Sequence, residues 1–178
     1  MDPRTQYIAY FEDLAKRNVD IAHTPATKGG VRFFLELNYE KLMGWNEPQN
    51  TGWNMVLMGY ETKMHDNQRA RRVEKVVCVF DILKHCKADD PVALQLVYTT
   101  ARQIGEELLL RFKEHTENPC AAAVSSGIVV PYAMDWNSKQ TVEVGPRWDN
   151  FFGYRFSCDV MMDEYVMKAS DAAKWRTP

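Results

Sequence analysis

Between Asp90 and His115 the chain carries one long helical pattern, and the rest of the sequence has to be arranged around it. Leu94, Val97, Tyr98, Ala101, Ile104, Leu108 and Phe112 recur at helical steps and line one side of a helix. Asp90 is a good N-cap, and Pro91 suits the first turn, where its missing N–H leaves nothing unsatisfied. An apolar stripe of this length must be buried. The β-rich segments at roughly 54–83 and 128–163 are the surfaces on which it can rest.

Asp2-Pro3 repeats the cap-then-proline device and predicts a first helix ending near Asn18, with Tyr7 or Ile8, Phe11, Leu14 and Ala15 on its apolar side. His23 to Gly30 reads as a loop, Val31 to Leu37 as a strand, and Tyr39 to Met43 as either strand or helix. Gly44 to Gly52 is a further loop. Asn54–Thr62 and Val73–Leu83 read as two strands. In the second, Val76, Cys78, Phe80 and Ile82 share one face while Val77, Val79 and Leu83 take the other, as in a central strand. After the long helix come a loop from Glu117 to Gly127, a strand at Ile128–Met134, a turn at Asp135–Lys139 and a returning segment at Gln140–Gly145. Pro131 places the Ile128–Met134 strand at an edge or a bulge. Pro146 to Asn150 is a short loop. Phe152, Tyr154, Phe156, Cys158, Val160 and Met162 then alternate with Gly153, Arg155, Ser157 and Asp159, a strand with one core face and one polar face.

The order predicts an α+β domain: a mainly antiparallel sheet, the long helix packed on one face, and an N-terminal helix. Residues 1–167 form one domain and 168–178 a C-terminal tail with little to pack. A chain of 178 residues, 46% apolar and 26% charged, is long enough for one sizeable core. Its net charge of −2 gives no general attraction to nucleic acid or anionic membrane. No apolar run approaches the roughly 20 residues of a spanning helix. The first residues lack an apolar signal core, so the expectation is a soluble protein made in a cytoplasm, with Cys78, Cys86, Cys120 and Cys158 reduced.

No residue cluster announces a chemistry. The cysteines form no C-x-x-C pair, and His85-Cys86 with Cys78 would need further ligands from elsewhere to hold a metal. The other histidines, His23, His65 and His115, stand apart. There is no nucleophile elbow and no P-loop. Asp90 is explained by capping, and Glu106-Glu107 point in different directions on a helix. No catalytic residue, cofactor or metal is assigned. The one charge concentration is the Lys63–Arg72 connection, where Lys63, Arg69, Arg71 and Arg72 stand against Asp66. A basic connection of this kind either contacts phosphates without reading sequence or is a solvated loop paired with acidic neighbours. Trp45, Trp53, Trp136 and Trp148 lie in or beside loops, either as interface aromatics or folded back over the core edge.

Met55-Val-Leu-Met-Gly-Tyr-Glu, the polar stretch through His65-Asp66-Asn67, the Val76–Leu83 strand, the helix after Asp89-Asp90 and the segment from Val144 to Phe156 follow one another in an order that resembles the tail-terminator and neck (head–tail completion) proteins of tailed bacteriophages. The resemblance covers most of the chain and lies in the succession of elements. It implies a non-enzymatic ring of identical subunits in the virion, at the tail end or neck, joining tail tube to connector or portal-side proteins around the DNA channel. On that reading Lys63, Arg69, Arg71 and Arg72 line the opening and make loose contact with DNA. Trp148, Arg155 and Asp159 meet the next subunit, since a ring contact uses two different surfaces of one protein. Two rival readings are a small ligand-binding domain or enzyme with a scattered site, and a nucleic-acid-binding adaptor.

Overall fold

A computed structural model of the protein describes residues 3–27, 29–36, 52–59, 61–66, 72–118, 128, 133–147 and 150–162. These residues form two helices and six strands in the order α1 (Pro3–Arg17), β1 (Phe33–Leu35), β2 (Asn54–Leu57), β3 (Glu61–Asp66), β4 (Arg72–His85), α2 (Pro91–Glu117), β5 (Ala133–Arg147) and β6 (Phe151–Met162). The strands make one sheet, ordered β1-β2-β4-β6-β5, with β3 also paired to β4. Every pair is antiparallel except β1 with β2. This is an α+β fold.

The start of α2 is built as its sequence requires. The Asp90 carboxylate accepts a hydrogen bond from the Ala93 N–H at 2.9 Å, and Pro91 occupies the first turn. The stripe is buried at Val97, Ala101, Ile104, Leu108 and Phe112, extended by Gly105, Leu109 and His115. Leu94 and Tyr98 are half-buried at its end. Below it lie Val76, Cys78, Phe80 and Ile82 of β4 and Phe152, Phe156, Cys158 and Val160 of β6. α1 adds Tyr7, Tyr10, Phe11, Leu14 and Ala15 to the same cluster. Each fully buried Leu, Val or Phe side chain contributes about 1.5–3 kcal/mol. Rings carry much of the contact: Phe11 meets Phe80 and Phe112, and Phe80 stacks on Phe156 at 5.3 Å between centroids. Gly105 is where α2 comes closest, since a Cβ there would fall 2.0 Å from Phe156 Cε2.

β4 is central, flanked by β6 along one side and by β2 and β3 along the other. Asn54–Thr62 is therefore not one strand. Leu57 lies opposite Phe80 but Glu61 lies opposite Val77, so the register with β4 shifts by one residue between the two pairs. That shift is a β-bulge that splits the segment into β2 and β3. The Lys63–Arg72 connection is also shorter than its polarity suggests. Backbone pairing continues to Asp66 opposite Arg72, so Lys63 belongs to β3 and Arg72 to β4. A hairpin ladder needs only backbone groups, and polar side chains do not interrupt it.

The Asp135–Lys139 turn with a returning Gln140–Gly145 is corrected. β5 runs through this stretch without reversing and stays on β6, with a register shift between Asp135 and Gln140. The turn chemistry is present, since Asp135 accepts from the Asn137 N–H at 3.0 Å and from the Ser138 hydroxyl at 2.6 Å. Ser138 Oγ in turn accepts the Asp159 N–H of β6 at 2.7 Å, which ties the arch to the ladder as a bulge. Asn150, at φ +73°, completes the β5–β6 hairpin with the left-handed residue that short connections use. Of Ile128–Met134, only residues 128, 133 and 134 are described. The expectations for Tyr39–Met43, for most of Gly44–Gly52 and Glu117–Gly127, and for the 168–178 tail lie outside the described residues. No helix among the described residues is long and apolar enough to cross a membrane.

Candidate functional sites

Alternation along β4 and β6 gives the sheet a second face, turned away from the helices, with its own small apolar cluster of Phe34, Val56, Met58, Leu83, Val144 and Phe151. Within this face Asp81 is fully buried. Asp81 and Arg155 are directly opposite in the β4–β6 register. The Arg155 guanidinium donates to both carboxylate oxygens, from Nε at 2.7 Å and Nη2 at 2.9 Å. Arg147 of β5 adds a cation 3.5 Å away. The hydrogen bonds to Asp81 raise the Arg155 pKa further, against burial. A bidentate pair of this kind fixes three strands relative to one another as well as neutralising charge.

Arg155 and Asp159, expected at a subunit interface, thus both have partners within the chain, Asp81 and Lys75 respectively. Trp148, Arg69 and Arg71 lie outside the described residues. Lys63 and Arg72 are on the β3–β4 ladder, not directly opposite each other. Asp81 was missed by sequence reasoning. Its signal was a lone carboxylate in an otherwise apolar central strand, which must find a cation if the strand is buried.

Trp53 is buried with Lys84 Nζ 5.1 Å from its ring centre. Trp136 is half-buried between Lys113 and Lys139, at 5.2 and 5.0 Å. Both fold back over the core edge. Trp45 lies outside the described residues. Cys78 and Cys158 are buried and directly opposite on β4 and β6. Their mutual hydrogen bond, then burial, holds the Cys158 thiol far above the ordinary range, so it acts as a small core residue. Among the described residues no group of three or more His, Cys, Asp or Glu side chains is placed to hold a metal.

Two clefts flank α2. One, of about 660 Å³, lies toward β5 and β6, with Tyr98, Tyr154, Glu143, Arg102 and Glu106 in its lining. There Tyr154 donates to Glu143 at 2.8 Å and Glu106 pairs with Arg102. The other, of about 520 Å³, lies toward the end of α1 and is lined in part by Arg17, Asp20, Glu107, Arg111 and His115. Glu106 and Glu107 therefore serve different clefts, as adjacent helical positions must.

The fold and these sites define an α+β domain with an aromatic core on one sheet face and an ion-paired cluster on the other. Profiles of known families, curated proteins and solved structures give no match to the chain.

Proposed function

We propose that this protein is a non-enzymatic structural subunit that assembles with copies of itself into a ring at the tail end or neck of a phage or phage-like particle. The phage setting rests on the succession of sequence elements. The structural observation that supports assembly is β5: fifteen residues long, at the end of the sheet, paired with β6 on one side and with no other described strand on the other. A long edge strand presents unpaired N–H and C=O groups, which a second chain can complete. Val142, 57% exposed, stands on it as an uncovered apolar side chain.

In the ring the basic stretch of sequence with Lys63, Arg69, Arg71 and Arg72 lines the opening, where loose phosphate contact suits passing DNA. Tail tube and connector or portal-side proteins are the remaining partners, and the assembled virion is the location. The test is imaging of the purified protein alone and with tail tubes. Closed rings, or added density at tube ends, are the expected result. Protein that leaves tube ends bare overturns the tail assignment. Charge reversal at Arg69, Arg71 and Arg72 is expected to lower DNA retention in particles, and unchanged retention removes the lumen role of this stretch.

A further inference from the structure

The cleft beside the end of α1 holds a group that the assembly reading does not use. Tyr10 is fully buried, and its hydroxyl lies 2.9 Å from His115 Nδ1, its hydrogen-bonding partner among the described residues. With Tyr10 as the donor, Nδ1 is the acceptor and the ring carries its proton on Nε2. His115 is only 6% exposed, yet it lines the cleft. No described protein atom hydrogen-bonds to Nε2.

We propose that this cleft binds a small oxyanion, a carboxylate or phosphate group, which accepts from His115 Nε2–H between the guanidinium groups of Arg111 and Arg17.

Arg111 and Arg17 come from different helices and both line the opening. Each also has an acidic neighbour on its own helix, Glu114 at 3.2 Å and Asp13 at 2.9 Å, so each arrives oriented. The charges felt by the imidazole agree with this arrangement. Burial lowers its pKa first, then Arg111 and Arg17, with Glu114 and Asp13 opposing. The end of α1 is a site of partial negative charge. However, the Leu14 and Ala15 carbonyls there are already taken by the N–H groups of Asn18 and His23, at 2.9 and 3.1 Å. Asp20 and Glu107 also line the cleft and oppose an anion seated near them. A volume of about 520 Å³ is in the range of small-ligand sites.

The experiment is nitrogen–proton NMR of the full chain, following the His115 ring signals. Sodium phosphate and sodium acetate are titrated separately, with chloride holding ionic strength constant. A saturable shift with either anion, accompanied by a rise in the His115 pKa, is expected. Saturation by phosphate alone assigns a phosphate ligand, and saturation by acetate alone a carboxylate. Arg111→Gln, on an exposed part of α2, should weaken binding about tenfold through loss of one charge-assisted contact. Glu107→Gln should strengthen it. Shifts that never saturate, or that persist unchanged in Arg111→Gln, overturn the proposal.

Discussion

Phe80 and Asp81 are neighbours on β4, and they mark two kinds of interior. On the helix side, Phe80 stacks with Phe156 under Gly105, and the fit is one of shape. On the other side, Asp81 is held by Arg155 and Arg147, and the fit is one of charge and direction. An apolar interior tolerates exchange among side chains of similar volume, because no single partner is required. A buried carboxylate tolerates none on its own, because removing its cation leaves the full desolvation penalty behind. The two faces should therefore respond differently to single and to paired substitutions.

The largest effect is expected from Arg155→Ala. It leaves Asp81 fully buried with only the longer contact to Arg147. Chemical denaturation should show a loss of about 3–5 kcal/mol. Asp81→Ala should lose less, because Arg155, whose side chain is 31% exposed, can turn its head to water. Combining Asp81→Leu with Arg155→Leu should recover most of the stability, since two apolar groups need no partner. A double variant as weak as Arg155→Ala would show that this face does not depend on charge pairing.

Gly105→Ala tests the helix face at its tightest point. The new Cβ must displace the Phe156 ring, and overpacking of this kind typically loses about 1–3 kcal/mol. An unchanged denaturation midpoint would mean that α2 can lift from β6 without penalty.

The smallest and most gradual effect is that of acid. His23 and His115 are both buried beside the helix-side core, and burial lowers both pKa values below the ordinary 6.5. For His23 the nearby Glu12 works against this lowering, and Lys16 with it. The native state keeps these rings neutral while the unfolded chain protonates near the ordinary value. Their contribution is thus fully present above about pH 6.5 and is lost as pH falls below it. Thermal midpoints should fall between pH 7 and pH 5, and His115→Gln should flatten part of that slope. A midpoint that rises on acidification contradicts the neutral-imidazole assignment.

Local signals carried the helices and the last strand well. The cap at Asp90, the stripe from Leu94 to Phe112 and the alternation from Phe152 to Met162 are each set by neighbours a few residues away. His115 continued the same stripe, three residues beyond Phe112, and so could have been recognised as inward-facing. What escaped was decided at long range. Asp135–Lys139 has genuine turn chemistry, but whether the chain reverses there depends on β6, to which Ser138 is bonded. The split of Asn54–Thr62 depends likewise on its register with β4. Asp81 and Arg155 are 74 residues apart, and neither residue alone reveals the pair. Tyr10 and His115 are 105 apart.

The central claim is self-assembly through the side of β5 that no described strand covers, and mass in solution tests it most directly. Light scattering over a range of protein concentrations should give one closed oligomer for the unaltered chain. Val142→Lys, which places a charge on the edge strand without touching the core, should give a smaller species. A compact monomer at every concentration, the same with and without Val142→Lys, would contradict the account.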